Sequence, residues 1–421
     1  MAQLLKRTTV ARSVAASARI STPRLFHVAA ARYAARTGLY DFHVQNEAKI
    51  VPFGGYDMPL SYGKVGQVAS HKHVREHAGL FDVGHMVQHK FTGPTAAAFL
   101  QRITPASLTS MAPFNSTLSV LLSPEGGILD DLIITKHADD DFYVVTNAGC
   151  REDDLKYIAE QLEAFGKDNE APKHEVLENQ GLVALQGPSA AGVLAKLLPA
   201  DFDLSKLVFG QSAFVSLSLP GGETVECHVA RGGYTGEDGF EISIPPASTE
   251  AVAKALLADA EVELAGLAAR DSLRLEAGMC LYGHDLDPSV SPVEGALAWT
   301  VAKDRRAAAD FLGAERVLRE LKEGPPRRRI GLLVEAGAPA RGTYPQLTTE
   351  GSKIYAEDGT TEIGQVTSGI PSPTLGKNIA MALVKNGYHK RDTPVKVSVR
   401  NKLRDATVAR MPFVPSKFYR G

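Results

Sequence analysis

Cysteine is nearly missing from this 421-residue chain: Cys150, Cys227 and Cys280 stand far apart, with no CxxC pair and no histidine at metal-ligand spacing. That excludes a disulfide framework and a zinc site of ordinary spacing, and it suits a reducing compartment. Long apolar runs are missing too, and none approaches the roughly 18 residues that a membrane span needs. Acidic residues are missing from the first 40 positions, which hold Lys6, Arg7, Arg12, Arg19, Arg24, Arg32 and Arg36 before the first acid, Asp41. Ala, Ser and Thr fill most of the rest, and there is no compact apolar segment of a secretory signal. Arg-rich, Ser-rich and acid-poor is the pattern of a mitochondrial transit peptide, expected over residues 1–35; a basic tail for nucleic acid is the competing reading. Without those seven cations the formal charge of −2 becomes −9, which disfavours nucleic-acid binding by the remainder.

What is present is an ordinary globular composition, 44% hydrophobic and 22% charged, and a length that predicts two to three domains. One internal repeat stands out. TGPTAAAFLQRITPA (92–106) and QGPSAAGVLAKLLPA (186–200) place Gly93-Pro94 and Gly187-Pro188 at the junction of a strand-like stretch and a helix. Proline there loses nothing, because the first helical N–H has no partner anyway. Two related α+β units follow, ferredoxin-like, each a largely antiparallel sheet carrying helices, over residues 36–322. After Lys322-Glu323-Gly324-Pro325-Pro326 the texture changes. Short runs (IGLLVE, KIYA, EIGQVTSG, IAMALV, PVKVSV and DATVARM) alternate with Gly and Pro, which predicts an all-β barrel over 327–421.

Carboxylates in apolar strands are the candidate chemistry. GGILDDLIIT (126–135) carries Asp130 and Asp131 on opposite strand faces, and an unpartnered buried acid is costly. A five-residue loop, His137 to Asp141, predicts a hairpin that pairs Thr135 with Tyr143 and Asp131 with Asn147. Opposed residues share a face about 5 Å apart, so a carboxylate and an amide would meet on an apolar wall, the usual make-up of a small-molecule pocket. The plain alternative is a pair of acids in turns or ion pairs. RGGYTGEDGFEISIP (231–245) lacks the Lys-Ser/Thr of a P-loop and reads as a tight turn and a strand, with Glu241 and Ser243 on one face, either solvated or lining a site. Arg270 and Arg274 share a face of a helix expected over 265–278, as a surface ion-pair set or as a fork for a carboxylate. Arg327-Arg328-Arg329 reads as a solvated stretch or a dock for an acidic partner. No HExxH, Walker or EF-hand pattern appears, and no metal is expected.

GGILDDLIIT, YVVTNAGC, GYTGEDGFEI, ARDSLRLEAGMCLYGHDL and MPFVP, in this order, resemble the glycine cleavage T-protein family, over essentially the whole chain after about residue 38. The resemblance implies two α+β domains around a folate channel and a barrel-like third domain. It implies an aminomethyltransferase that takes the carbon of an aminomethyl group from the lipoyl arm of H-protein to tetrahydrofolate, releasing 5,10-methylenetetrahydrofolate, ammonia and dihydrolipoyl H-protein. It implies a monomer of the mitochondrial matrix working with the P- and L-proteins. Carried over by motif, Asp131 is the catalytic aspartate. Asn147, Glu241 and Arg270 are folate-binding, with Met86, Leu118 and Tyr234 lining the site. Trp299 is expected near the channel, with core packing as the alternative. One departure is Phe418, where the family often has Tyr after MPFVP. The nearest rival on the same fold is a folate-binding factor for iron–sulfur cluster assembly, whose Lys-Gly-Cys signature is absent before Cys280; a folate-dependent demethylase is another.

Overall fold

The computed structural model describes residues 34–335 and 351–421, so nearly all of the expected transit segment lies outside the described residues. A hairpin of β1 (Ala48–Phe53) and β2 (Tyr56–Tyr62) comes first. The strands that follow are β3 (Ala78–Asp82), β4 (Val87–Thr92), β5 (Ser116–Leu122), β6 (Ile128–Ala138), β7 (Asp141–Thr146) and β8 (Lys173–Val176). After them come β9 (Gly181–Gln186), β10 (Ser212–Ser218), β11 (Thr224–Arg231), β12 (Gly239–Ile244) and β13 (Val262–Leu264). One sheet runs β5-β6-β7-β4-β8, and the other runs β10-β11-β12-β9-β3-β13.

The Gly-Pro repeat is the sequence trace of this architecture. β4 and β9 are each followed by a glycine of positive φ, Gly93 at 120° and Gly187 at 134°, and then by helices Ala96–Ile103 and Ala190–Ala195. A Cβ on Gly187 would lie 2.2 Å from the His77 carbonyl oxygen, so only glycine lets the chain turn there. In both units a three-strand meander then packs beside the strand that carried the glycine. The second unit differs by one insertion: β3, from earlier in the chain, lies between β9 and β13 and pairs in parallel with β13. All five residues of β3 are buried, which leaves no polar–apolar alternation to mark it as a sheet strand in advance.

The two sheets meet along an apolar seam that includes Phe81, Val83, Tyr143, Val145, Leu182 and Leu273. Burying each large side chain there contributes roughly 1.5–3 kcal/mol. Leu273 belongs to the helix Leu267–Glu276, shorter by two residues at each end than the expected 265–278. Gly278, at φ 69°, turns the chain out of it.

The expected C-terminal barrel is present. β14 (Arg327–Val334), β15 (Lys353–Ala356), β16 (Glu362–Pro371), β17 (Asn378–Lys385), β18 (Pro394–Val399) and β19 (Lys402–Ala409) close in the order β14-β17-β16-β15-β18-β19. Of the three arginines at its start, Arg327 and Arg329 are engaged within the chain rather than part of a solvated stretch. Arg327 Nε donates to Glu294 Oε1 at 2.8 Å, and Arg329, 8% exposed, donates to the carbonyls of Gly295 (2.8 Å) and Gly278 (3.1 Å). Strand alternation gives each a different neighbour, and the first and third stitch the barrel to the preceding chain. The C-terminal tail returns to the second sheet, where Phe418 stacks on Phe209 at 4.1 Å and Tyr419 lies 4.0 Å from the Arg231 guanidinium.

Candidate active site

The hairpin of β6 and β7 is tighter than expected, with strand pairing through Ala138 and Asp141 and a bulge between Lys136 and Ala138. The bulge absorbs the difference in loop length, so Thr135 still pairs with Tyr143. Regular pairing stops at Ile133–Val145, and the Asn147 side chain takes over from there. Its Nδ2 donates to Asp131 O at 3.0 Å, Asp131 Oδ1 at 3.2 Å and Asp130 Oδ1 at 2.9 Å, while its backbone N–H donates to Asp130 Oδ2 at 2.9 Å. One amide thus fixes both aspartates. Along β6 the exposure alternates: Ile128, Asp130, Leu132 and Ile134 are buried, whereas Leu129, Asp131 and Ile133 are only half-buried. Burial, and secondarily the neighbouring Asp130, push the Asp131 carboxyl up to about 7.

The remaining candidates converge from the second unit. Arg270, on the helix Leu267–Glu276, lies 4.5 Å from the Tyr234 ring centroid in a cation–π contact. The Tyr234 hydroxyl donates to the Cys280 carbonyl. Burial raises this phenol, Asp131 raises it further, and Arg274 and Arg270 oppose the rise, so the tyrosine lies within electrostatic reach of both halves of the site. Glu241 on β12 is raised by burial and lowered by Arg270. Neither the Glu241 carboxylate nor the Arg270 guanidinium has a hydrogen-bond partner among the described residues, an arrangement that is costly unless water or a polar ligand meets it. Met86 packs against the inter-sheet seam and Leu118 against a cluster that contains Cys280 and Leu286. Asp131, Asn147, Glu241, Arg270, Tyr234, Met86 and Leu118 are all half-buried, neither core nor open surface.

Three expectations change. Arg270 and Arg274 do not form a fork. Arg274 is buried and fully engaged, with Asp271 at 2.8 Å, Asp285 at 2.7 Å and Ser368 at 3.0 Å, which leaves Arg270 alone at the site. Ser243 leaves the solvated-face reading as well, since it is buried and donates to Gln88 Oε1 at 2.6 Å. Trp299 is not a core residue: it is 62% exposed, in a short turn packed beside β5. Two residues at the site escaped sequence reasoning. His85 is buried, with Nδ1 unpartnered among the described residues, and burial pushes it down to about 4, so it is neutral at physiological pH. Asp154, on the helix Arg151–Phe165, is buried behind Asp130. For His85 the available signal was its place next to Met86; for Asp154 it was its place in the first turn of the helix that follows β7.

Fold and site define a class: an enzyme of two repeated α+β units and a barrel, with a protonatable aspartate beside an unsatisfied acid–arginine pair that suits a polar small molecule. The GCVT N-terminal domain model matches residues 39–305, and the glycine cleavage T-protein C-terminal barrel domain model matches residues 327–415. The chain is 49% identical to the probable mitochondrial aminomethyltransferase of Schizosaccharomyces pombe over 385 residues (91% of this chain and 94% of that one). It is 46% identical to the mitochondrial aminomethyltransferase of Homo sapiens, with 91% of each chain covered. The crystal structure of the glycine cleavage system aminomethyltransferase T from Bartonella henselae superposes with a TM-score of 0.82 at 38% identity, covering 92% of this chain and 100% of that one. The chain belongs to the glycine cleavage T-protein family and is a mitochondrial aminomethyltransferase of the glycine cleavage system. The iron–sulfur alternative finds no support among these relatives, and the Cys280 thiol, 9% exposed and pushed up by burial to about 12, is poorly suited to metal chemistry.

Proposed function

We propose that this chain transfers the carbon of an aminomethyl group from the lipoyl arm of H-protein to tetrahydrofolate in the mitochondrial matrix. It would act as a monomer that meets H-protein transiently, with the P- and L-proteins completing the cycle. The proposed organisation is a transit peptide over 1–35, a folate-binding region over 36–322 and the barrel domain over 327–421. The observation that carries the folate reading is the pair Glu241 and Arg270, half-buried and without protein hydrogen bonds beside a protonatable Asp131. A pterin offers a 2-amino group and ring N–H donors, which a carboxylate such as Glu241 accepts in parallel. Arg270, held over the Tyr234 ring, suits a carbonyl or carboxylate of the same molecule. Asn147 fixes the carboxylate of Asp131, and Met86 and Leu118 supply apolar walls.

Tetrahydrofolate supplies the two amines that capture the carbon. The role assigned to Asp131 is to hydrogen-bond them and accept the proton that N5 sheds as it attacks. A carboxyl titrating near 7 is well matched to that transfer, because the acceptor is partly ionised at working pH and strong enough as a base.

The test is ammonia release from aminomethylated, lipoylated H-protein with and without tetrahydrofolate. Strong stimulation by folate, matched by formation of methylenetetrahydrofolate, supports the reading. Folate that binds without stimulating release defeats it. Turnover of a methylated small molecule without H-protein would point to a demethylase.

A further inference from the structure

The turn Val83–Met86 is clamped by a buried acid. Its Met86 N–H closes on the Val83 carbonyl at 3.0 Å, and the Gly84 N–H donates to Asp82 Oδ1 at 2.7 Å. Asp82 Oδ2 accepts from the Thr37 hydroxyl at 2.6 Å and bonds His43 Nε2 at 2.7 Å, while the other nitrogen of His43 meets the Tyr62 hydroxyl at 3.0 Å. This network fixes the turn that carries His85, which is 2% exposed. Neither ring nitrogen of His85 has a hydrogen-bond partner among the described residues, and Nδ1 is sealed from solvent as well. Buried polar atoms are rarely left in that state.

His85 lies against the hairpin of β1 and β2, and that hairpin crosses the site. At its base, a Cβ on Gly266 would lie 2.4 Å from the Leu60 carbonyl oxygen, so β2 rests on the start of the helix that carries Arg270. At its tip, a Cβ on Gly54 would lie 3.1 Å from the Ala148 Cβ, so the tip rests on the residue that follows Asn147. The rings of Phe53 and Tyr56, on either side of the tip, meet the His85 ring edge-on with centroids 5.6 and 6.4 Å away. Val83 and Met86 pack in the same seam as Ala269, the neighbour of Arg270, and the Arg270 charge bears on the imidazole. His85 therefore sits between the Asn147 half of the site and the Arg270 half.

We propose that His85 donates a hydrogen bond from Nε2 to an acceptor of bound tetrahydrofolate, in addition to the contacts of Glu241 and Arg270. This rests on the reading of the site as a folate site. The choice of nitrogen follows from burial. A neutral imidazole carries one N–H and one bare nitrogen. A sealed N–H without an acceptor is rarer than a sealed lone pair, so Nδ1 is the bare nitrogen and the proton sits on Nε2. The carbonyl and bare ring nitrogens of a pterin need donors, which the ionised carboxylates of Glu241 and Asp131 cannot supply because they only accept. Burial keeps the ring neutral, so His85 brings a donor without placing a second cation beside Arg270 or beside the folate amines that capture the carbon.

The test is titration of tetrahydrofolate into the wild type and three variants. His85→Phe keeps a flat ring against Phe53 and Tyr56 but removes both nitrogens. Its Kd is expected to rise about 5- to 150-fold, because a polar atom of the ligand is left without a partner. His85→Gln places an amide nitrogen near the position of Nε2 and is expected to recover most of that loss. His85→Asn places it near Nδ1 and is expected to recover little. Wild-type affinity in His85→Phe overturns the proposal. So do equal losses in His85→Phe and His85→Gln, which would mean that the ring only packs. Should His85→Phe fail to fold, nitrogen NMR of the wild-type imidazoles decides, with His85→Gln supplying the assignment. The Nε2 resonance of His85 is expected to shift on saturation with tetrahydrofolate, and a resonance that stays in place overturns the contact. A wild type that binds no tetrahydrofolate would defeat the folate reading and this contact with it. Tight wild-type binding that is weakened in Glu241→Gln and kept in His85→Phe would defeat the contact alone.

Discussion

The two nitrogens of Asn147 each donate to a different oxygen of Asp130, both at 2.9 Å, so the carboxylate is held from both sides by one residue. The same Nδ2 reaches Asp131 Oδ1 at 3.2 Å. Asn147→Ala removes the side-chain half of this arrangement and leaves three acceptors, Asp130 Oδ1, Asp131 Oδ1 and Asp131 O, short of a donor. The expected cost is about 1–3 kcal/mol of stability. Because it also frees the Asp131 carboxyl to turn, kcat is expected to fall by about a hundredfold or more. Asn147→Asp adds a fourth carboxylate to the cluster and is expected to be worse at pH 8 than at pH 6. Paired steady-state assays at the two pH values, alongside thermal melts, check both statements.

Asp131 itself connects activity to stability with opposite signs. Burial, then Asp130, raise its carboxyl from 3.8 to about 7. Between those values the native state holds a proton that the unfolded chain has released. Unfolding free energy therefore falls as pH rises through this window, and the loss is complete above it. Asp131→Asn removes the titration. The variant is expected to match the wild type near pH 4, to be more stable than it near pH 8 by about 1–3 kcal/mol, and to lose turnover by about 10²–10⁴-fold. Urea melts at the two pH values give the stability half. A variant destabilised at pH 8 would contradict the raised carboxyl.

Binding specificity is expected to divide between Glu241 and Arg270. Glu241→Gln keeps shape but replaces one acceptor oxygen with a donor, so tetrahydrofolate affinity is expected to drop by about 1.5–3 kcal/mol, the range for a charged hydrogen bond. Arg270→Lys keeps the charge and loses the planar group stacked on Tyr234, so it is expected to weaken folate binding although formally conservative. Tyr234→Phe loses only the bond to the Cys280 carbonyl and keeps the stacking face, so its effect is expected to be smaller than that of Arg270→Lys. Fluorescence or calorimetric titration with tetrahydrofolate ranks the three, and equal losses in all would remove the stacking argument.

Much of this was legible in the sequence because strands report their own period. ILDDLIIT reads directly as alternating exposure, and all six barrel strands fall on runs marked by Gly and Pro. The Gly93 and Gly187 repeat exposed the duplicated unit because a positive-φ glycine before a helix has few substitutes. What failed was long-range placement. Nothing local tells that β3 inserts into the second sheet or that Arg274 finds Asp285 while Arg270, one helical turn away, does not. Asp154 went unread, because the direction a helix faces is fixed by what packs on it rather than by its own residues. The arginines Arg327 to Arg329 misled for the same reason: a basic run reads as surface until the buried acid opposite one of its members is known.

That acid gives a last prediction, on how the barrel is seated. Glu294 is 0% exposed and accepts from Arg316 Nη2 (2.8 Å), Arg327 Nε (2.8 Å) and the Ser291 backbone N–H (3.1 Å). Two guanidiniums converge on one buried carboxylate, one from the helix Ala314–Glu323 and one from β14. Glu294→Ala leaves Arg327 without an acid partner among the described residues and Arg316 with Glu320 alone, and breaking a buried pair by removing one partner costs about 3–5 kcal/mol. Arg327→Ala costs less, because Arg316 still balances the acid. Arg328→Ala, whose side chain reaches only Asn386 among the described residues, at 3.3 Å, is expected to fall within about 0.5 kcal/mol of the wild type. Since Glu294 touches none of the proposed folate-binding residues, folate affinity of the folded Glu294→Ala protein is expected to hold while its unfolding midpoint drops. A midpoint equal to that of Arg328→Ala would mean that the apolar contacts of Leu275 with Ile379 and Met381 seat the barrel without help from this charge cluster.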